Sequence, residues 1–339
     1  MNTNPINKQH PILLFVILAL LATAPFSNAQ EQQPSEEQLA QSLKRFPEAD
    51  TNKDGKLTTE EIQQFRQSRQ RNRRLAAAAQ PTQAKDANLN ETLAGINARG
   101  TGQRFKNIEL ELLEWPSELH EKLGKMKKVA FVARPVEKIA GKLPVIIYLH
   151  GGAQRWWDMS LQQQLAISLS PKRKMLRGFD FAELAGKRLI VLEPNTAGLW
   201  DADSLDTMLD YVLENFPEID KDRVYVMGYS MGGKGTWAWI NESADRFAAA
   251  AAGGFSGGSD KDNVKKLARL PIWGMAGSND GGSATGMRKM VERLKAAGNV
   301  NVKCTVFDGG HKEGYEGMFG TTVELVDWML GFKRPKTTE

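Results

Sequence analysis

The sequence predicts an α/β fold, a mostly parallel and doubly wound sheet preceded by a small helical segment. From about residue 105 onward, short apolar runs alternate with helical patterns, as strands do when helices cover both faces of a sheet. A polar, helix-prone stretch precedes this region, and an apolar leader precedes that stretch. The chain has 339 residues and one cysteine, so it can bury a large core and cannot form an intrachain disulfide.

The first 29 residues have the pattern of a targeting leader. Lys8 supplies a positive charge, an apolar run of 13 residues follows at 12–24, and small residues close the segment at Ser27 and Ala29. This run is shorter than the ~20 residues that span a bilayer as a helix. We therefore expect a cleaved signal peptide, a secreted or periplasmic protein and no transmembrane segment after cleavage. An uncleaved anchor is the alternative.

Residues 30–65 contain a loop whose oxygen atoms are spaced to bind a hard cation. The run from Asp50 to Glu61 matches the twelve-residue pattern D-x-[DN]-x-[DN]-G-x5-E, in which Gly55 permits the sharp turn. This is the EF-hand pattern, which binds Ca2+ through side-chain and backbone oxygens and would give it a structural role here. The predicted ligands are Asp50, Asn52, Asp54, the Lys56 carbonyl, Thr58 and Glu61. A solvated, Asx-rich turn is the alternative.

An arginine-rich strip follows the loop and begins a polar linker. Five arginines fall within 66–74, and the linker is predicted to extend over 66–95. The strip is expected to be an exposed helix end, with contact to an anionic cell surface as the alternative. The formal net charge of +5 is too small to indicate nucleic-acid binding.

The remaining residues, 96–339, are predicted to form one large domain of alternating strands and helices. The predicted strands are 108–113, 128–134, 144–150, 189–193, 224–228, 248–252, 272–277 and 302–307. The predicted helices are 161–169, 204–215, 231–241, 284–297 and 322–330. No helical crossover separates the first two strands, so we expect them to pair antiparallel. Ligands of such sheets bind beyond the carboxyl ends of the strands, where functional residues are expected.

A serine on a sharp strand-to-helix turn is the strongest site signal. Ser230 lies in Gly228-Tyr-Ser-Met-Gly232, a G-x-S-x-G motif between a predicted strand and a predicted helix. The two glycines are needed because a side chain at either position would collide with neighbouring backbone. Such a turn exposes the serine hydroxyl above the sheet, which predicts that Ser230 is a nucleophile.

A nucleophilic serine needs a base and an acid that orients the base. In this architecture the partners follow in the order Ser, Asp or Glu, His. His311 is the one histidine after Ser230, since His120 and His150 precede it. Asp280 ends a predicted strand and is the preferred acid. The carboxylates Asp308 and Glu313 compete with it by sequence proximity to His311.

Two backbone N–H groups are predicted to stabilise the oxyanion that forms during the attack. One belongs to Met231, the residue after the nucleophile, and the other to Gly152, in the glycine-rich loop after the strand 144–150. His150, which begins that loop, is expected to anchor the loop rather than to act in catalysis.

Tryptophans are candidates both for substrate contact and for packing. Trp156, Trp157 and Trp200 follow predicted strands, on the side where ligands bind, and they could stack on a sugar or an aromatic group. Core or lid packing is their alternative role. Trp237 and Trp239 lie in the helix after the serine and are expected to belong to the core.

These motifs resemble the α/β-hydrolase superfamily, and in particular its secreted esterases. The resemblance covers about 144–331 and depends on four segments, Leu149–Gly152, Ile219–Gly233, Trp273–Asp280 and Gly309–His311. This branch includes feruloyl esterases and polyhydroxybutyrate depolymerases, and it overlaps prolyl-oligopeptidase-like predicted peptidases. The resemblance implies Ser230, Asp280 and His311 as the triad, with Gly152 and Met231 as the oxyanion donors.

The function that the resemblance implies is a secreted serine esterase. Its substrate would be a small-molecule or polymer-linked ester of the feruloyl, acetyl-sugar or polyester type, cleaved by acyl transfer without a catalytic cofactor. A serine peptidase of the prolyl-oligopeptidase-like type is one alternative, and an inactive, calcium-dependent surface-binding protein is another. After Asp280 the loop reads Gly281–Ala284, where relatives often carry an apolar turn, so the pocket wall is expected to differ there.

Overall fold

A computed structural model describes residues 43, 49–61, 64–65, 105–152, 177–186, 189–255 and 264–334. The chain divides into two compact units, Met1–Gln83 and Ala84–Glu339. The leader, the arginine strip and the helix expected at 161–169 lie outside the described residues. Within the described part of the chain, no helix is long and apolar enough to cross a membrane.

The large unit is built on one sheet of eight strands. These are β1 (Ile108–Glu114), β2 (Met126–Pro135), β3 (Leu143–Leu149), β4 (Ile190–Thr196), β5 (Ile219–Tyr229), β6 (Ala249–Gly253), β7 (Ile272–Gly277) and β8 (Val302–Phe307). Their spatial order is β1-β2-β4-β3-β5-β6-β7-β8. β2 runs antiparallel to both of its neighbours, β1 and β4, and the other pairings are parallel. The predicted mostly parallel sheet and its antiparallel first pair are thus confirmed.

Six α-helices are described in this unit. They are α1 (Gly178–Ala185), α2 (Ala202–Asn215), α3 (Met231–Ser243), α4 (Ser283–Ala296), α5 (His311–Gly320) and α6 (Thr322–Leu330). Apolar residues of α2, α3 and α4 pack on one face of the sheet, and those of α1, α5 and α6 pack on the other. The sheet is therefore covered on both faces, which explains why its central strands are continuous apolar runs.

Side chains along β3 alternate between two hydrophobic cores. The first core lies between the sheet and α2, α3 and α4, and the second lies between the sheet and α1, α5 and α6. Val145 and Ile147 belong to the first core, whereas Ile146 and Tyr148 belong to the second, and all four are fully buried. Trp237 and Trp239 are buried in the first core, as the sequence predicts.

A buried ion pair lies beneath the start of α1. Arg177 and Glu193 are each 1% exposed, and Arg177 Nε donates to Glu193 Oε1 at 2.7 Å. The backbone N–H of Gly178 donates to the other carboxylate oxygen at 2.8 Å, and the guanidinium reaches Asn195 Oδ1 at 3.1 Å. Desolvation by burial raises the pKa of Glu193, while Arg177 opposes the shift.

Candidate functional site

Ser230 lies on the strained turn that the glycine motif predicts. Its backbone angles are φ 61° and ψ −119°, which a non-glycine residue rarely adopts. β5 ends at Tyr229 and α3 begins at Met231, so the serine alone joins the strand to the helix. Its N–H donates to the Gly253 carbonyl at 2.8 Å, and its own carbonyl accepts from Lys234 N at 2.9 Å. These bonds hold the turn from both sides.

Glycines around Ser230 allow the backbone to pack at unusually short range. A Cβ atom at Gly232 would lie 1.8 Å from the Leu149 carbonyl oxygen, and one at Gly233 would lie 2.0 Å from the Gly253 oxygen. A Cβ atom at Gly228 would lie 2.5 Å from the Gly232 carbonyl carbon. The helix therefore begins directly against β3 and β6, and its N-terminus, with its partial positive charge, lies behind Ser230.

The structure brings His311 and Asp280 together. His311 Nδ1 lies 2.7 Å from Asp280 Oδ2, in the geometry of an N–H donated to a carboxylate. Asp280 follows β7 and His311 follows β8, and these two strands are parallel neighbours. Of the three candidate acids, Asp280 is thus the one hydrogen bonded to the imidazole. Glu313 instead accepts from the Gly310 N–H at 2.8 Å, and Asp308 lies near Ser278.

His311 begins the helix α5, which is not among the helices predicted from the sequence. Glu313 caps the first turn by accepting from the Gly310 N–H, and the preceding Gly309 has φ 112°, which glycine tolerates. These are start signals for a helix, but its short, glycine-rich sequence hides its periodicity. The helix fixes the backbone from which the imidazole projects.

Tyr229 packs against the imidazole and was not singled out as a functional residue from the sequence. Its ring centroid lies 5.1 Å from that of His311, and its side chain is 2% exposed. Cβ atoms at Gly254 and Gly314 would lie 2.4 Å and 2.2 Å from Tyr229 atoms, so both glycines make room for the ring. Burial, followed by the charge of Asp280, raises the pKa of Tyr229 well above its usual range, so the phenol stays neutral. The residue preceding Ser230 thus touches His311.

The glycine-rich loop after β3 lies beside the serine. A Cβ atom at Gly151 would lie 3.3 Å from the Tyr229 carbonyl oxygen and 3.7 Å from Ser230 Cβ. Gly151 and Gly152 are half-buried, and Met231 is the first residue of α3. Both predicted oxyanion donors therefore belong to segments that meet at Ser230.

His150 anchors this loop, as predicted. It is fully buried, and its Nε2 accepts from the Thr196 N–H at 3.1 Å while its Nδ1 contacts the Gly151 carbonyl at 3.0 Å. Because Nε2 acts as an acceptor, the ring is neutral and carries its proton on Nδ1.

The predicted stacking role of Trp200 is wrong. The side chain is 7% exposed, packs in the first core and donates its indole N–H to the His150 carbonyl at 3.1 Å. An aromatic face enclosed in this way cannot stack on a sugar or an aromatic acyl group. Trp156 and Trp157 lie outside the described residues.

The loop from Asp50 to Glu61, which matches the EF-hand pattern in sequence, has features that a bound cation needs. Gly55 adopts φ 79°, and Asp50 Oδ2 accepts from its N–H at 2.9 Å. The other oxygen, Asp50 Oδ1, is buried without a hydrogen-bond partner among the described residues. A buried, unpaired carboxylate oxygen is costly unless a cation or another donor satisfies it.

The Glu61 carboxylate is hydrogen bonded within the loop to Thr58 and Thr51. Its carboxylate accepts from the N–H and hydroxyl groups of Thr58 at 3.0 and 2.9 Å and of Thr51 at 3.0 and 3.0 Å. These bonds, with the Thr58 N–H first, lower the pKa of Glu61 to about 2. No three His, Cys, Asp or Glu side chains lie together as a metal-binding group in the described part of the chain.

Residues 199–312 match the dienelactone hydrolase family. The match spans about a third of the chain and contains Ser230, Asp280 and His311. No curated protein sequence matches this chain.

Several solved structures resemble this chain over about two thirds of its length. A thermostable esterase is 21% identical with a TM-score of 0.48, over 67% of this chain and 64% of that one. An acylaminoacyl peptidase is 16% identical with a TM-score of 0.47, over 70% and 43% of the two chains. An S-formylglutathione hydrolase from Staphylococcus aureus is 19% identical with a TM-score of 0.46, over 68% and 100%. This chain thus spans less than two thirds of the first two of these proteins.

Proposed function

We propose that this protein is a serine hydrolase that cleaves carboxylic esters by two-step acyl transfer. The observation that carries the proposal is Ser230 at φ 61° on a strand-to-helix turn, above a mostly parallel sheet. Strain of this kind costs about 1–3 kcal/mol and persists where the surrounding structure enforces it, commonly at active sites. The family match over 199–312 supports a hydrolase, and the ester class comes from the motif resemblance.

Each residue then has one chemical role. Ser230 Oγ attacks the ester carbonyl, and His311 takes its proton through Nε2 while Asp280 holds Nδ1 at 2.7 Å. The N–H groups of Met231 and Gly152 receive the developing oxyanion. The alcohol leaves with the proton from His311, and a water activated by the same imidazole releases the acid. The side chains of the chain itself supply this chemistry, so no catalytic cofactor is invoked.

Hydrolysis of p-nitrophenyl acetate by the purified protein tests the proposal. We expect turnover that Ser230→Ala lowers by at least about 10⁴-fold, since triad serines act as a unit with their base. The matched control is Ser243→Ala, since Ser243 is the last residue of α3, at the end away from Ser230, and its hydroxyl donates to Asp206. An equal rate in Ser230→Ala and the parent protein would overturn the proposal. Absence of turnover in the parent protein would instead favour the inactive, surface-binding alternative.

A substrate panel separates esterase from peptidase. Feruloyl, acetyl-sugar and hydroxybutyrate esters are compared with a peptide p-nitroanilide at equal enzyme concentration. We expect the ester substrates to be cleaved and the anilide to be cleaved at least about 100-fold more slowly. The reverse order would identify the serine peptidase alternative.

We also propose that the loop from Asp50 to Glu61 binds Ca2+ in a structural role. The unpaired Asp50 Oδ1 and the turn at Gly55 support this. Asp50, Asn52, Asp54, the Lys56 carbonyl, Thr58 and Glu61 would hold the ion, and its charge would offset that of the three carboxylates. Calorimetric titration should give a dissociation constant of about 10⁻⁴–10⁻³ M, the range of extracellular modules. Glu61→Gln should abolish the heat of Ca2+ binding. The control Glu60→Gln, at an exposed neighbouring residue, should retain it. Absence of binding heat in the parent protein would contradict the proposed site.

The leader and the arginine strip complete the proposed setting. We propose that cleavage after residue 29 releases the protein to the periplasm or the medium, and that residues 66–74 are solvent-exposed, with contact to an anionic surface as the alternative. Mass spectrometry of the protein from the producing cells should give an N-terminus at Gln30. A full-length N-terminus would support the uncleaved anchor.

A further inference from the structure

The buried indole of Trp200 is directed at the backbone of the glycine-rich loop. Its Nε1–H donates to the His150 carbonyl at 3.1 Å, and its ring lies edge to face with the His150 imidazole at 4.9 Å. A Cβ atom at Gly235 would lie 2.6 Å from the Trp200 side chain, so α3 makes room for the indole. The indole is therefore fixed by packing on one side and by its hydrogen bond on the other.

The direction of one carbonyl determines the direction of the next N–H. A trans peptide is planar, so its N–H points opposite to its C=O, and the described peptide bonds are all trans. The His150 carbonyl is held by Trp200 and lies against α3, where a Cβ atom at Gly232 would come within 3.1 Å of it. The orientation of the Gly151 N–H follows from this hydrogen bond.

The same argument applies one residue further along. The His150 Nδ1–H donates to the Gly151 carbonyl at 3.0 Å, and the Thr196 N–H fixes this tautomer by donating to Nε2 at 3.1 Å. The plane of the next peptide, and with it the direction of the Gly152 N–H, is set by the His150 ring. Trp200 thus orients the first peptide through its N–H and supports, by ring contact, the imidazole that orients the second.

We propose that Trp200 is a positioning residue for the oxyanion hole, acting through His150 on the N–H groups of Gly151 and Gly152. The inference rests on the proposed hydrolase function. Gly151 lies beside Ser230, since a Cβ atom added to the glycine would be 3.7 Å from Ser230 Cβ, so the loop that carries these N–H groups adjoins the proposed nucleophile. Preorganised donors contribute most to catalysis when they need not reorient during the reaction.

Trp200→Phe removes the N–H and keeps an aromatic ring. We expect kcat to fall about 10- to 100-fold with KM changed less than about threefold, because the donors act on the transition state. Affinity for an alkyl trifluoromethyl ketone, which forms a tetrahedral adduct with the serine, should fall by about the same factor as kcat. Titration with a fluorophosphonate counts the active sites, so that loss of folded protein is not read as loss of rate.

Trp237→Phe is the matched control. Trp237 is a buried tryptophan of the same core, and its Nε1 has no hydrogen-bond partner among the described residues. The control therefore has a similar packing defect without a lost hydrogen bond, and kcat per active site should stay within about threefold of the parent value. If Trp200→Phe and Trp237→Phe lose kcat and ketone affinity equally, the inference is overturned.

Replacement of Trp200 by benzothienylalanine keeps the bicyclic shape and deletes only the N–H. It should fold like the parent protein and reproduce the loss of kcat and ketone affinity, and full activity in this variant would also overturn the inference. The proposed function fails in a different way, because the parent protein itself would then lack esterase turnover.

Discussion

The Ser278 hydroxyl accepts a hydrogen bond from the Gly309 N–H at 3.1 Å, which joins the loop after β7 to the loop after β8. Two backbone bonds run alongside it, Ser278 N to the Phe307 carbonyl and Asn279 N to the Gly309 carbonyl, each at 2.8 Å. Asp280 and His311 extend from these two loops. The 2.7 Å hydrogen bond between Asp280 and His311 thus adds one more link between the same two loops.

Removal of the Ser278 hydroxyl should weaken the connection between the loop after β7 and the loop after β8. We expect Ser278→Ala to lower kcat/KM for a nitrophenyl ester about three- to tenfold, the equivalent of one net hydrogen bond of ~1 kcal/mol. Ser117→Ala, which removes an exposed hydroxyl near Glu118, should leave the rate unchanged. Equal rates for Ser278→Ala and the parent protein would mean that the backbone bonds suffice.

Exchange of the acids tests which carboxylate orients the base. Asp280→Asn should lower kcat about 10³- to 10⁴-fold, since the amide no longer holds the imidazole in the tautomer that accepts the serine proton. Asp308→Asn should change kcat less than about threefold, because Asp308 does not contact the imidazole in the described structure. A larger loss in Asp308→Asn than in Asp280→Asn would reassign the acid.

Two glycine substitutions should have opposite effects on stability. Gly233→Ala would put Cβ 2.0 Å from the Gly253 carbonyl oxygen, so the variant should lose several kcal/mol or fail to fold. Gly320→Ala, at the end of α5, meets nothing within 4 Å and should gain about 0.5–1 kcal/mol from helix propensity. Urea unfolding followed by circular dichroism measures both, and a stable Gly233→Ala would contradict the close approach of α3 to β6.

Breaking the buried ion pair should cost more than removing it. Arg177→Met leaves Glu193 buried without its partner and should lower the free energy of unfolding by about 3–5 kcal/mol. Adding Glu193→Leu should recover part of this loss, because the unpaired charge is then removed. Urea unfolding of both variants checks this, and a double variant that is less stable than Arg177→Met would contradict it.

The single variant should also show a distinctive dependence on pH. Burial already raises the pKa of Glu193, and loss of Arg177 removes the opposing charge, so the folded state of the variant favours the protonated carboxyl. A carboxyl whose pKa is higher in the folded than in the unfolded state costs no stability at a pH below its unfolded-state pKa. The free energy of unfolding then falls as the pH rises from the unfolded-state pKa through the folded-state pKa. The deficit of Arg177→Met relative to the parent protein should therefore grow from pH 4 to pH 8, as measured by urea unfolding across that range.

Much of the sheet could be predicted from the sequence because its strands are sharply bounded apolar runs. β7, β8 and α6 have the predicted bounds, and the two tryptophans of α3 are buried as expected. The helix α1 was missed because it has only eight residues and begins at a glycine, which weakens its periodicity. Its signals were present, since Asp180 accepts from the Arg177 N–H and Gly186 ends the helix at φ 56°.

The site could be predicted in part for similar reasons. The chain order and the strand ends indicated Asp280 and His311, but only the three-dimensional structure shows which of three carboxylates meets the imidazole. Trp200 was misjudged because the sequence places it after a strand and does not reveal that Gly235 opens a space for its indole in the core. Burial of a loop side chain depends on contacts that are distant in sequence, and local patterns do not carry them.

The unusual torsion angles of Ser230 have a consequence for how the protein would age or be weakened. An isolated peptide would relax out of that shape, so the neighbouring strands and α3 must continually resist the relaxation. Heat or denaturant should therefore lower the rate of the proposed hydrolase before the sheet itself unfolds, and the catalytic rate would then report partial unfolding around Ser230 earlier than circular dichroism does.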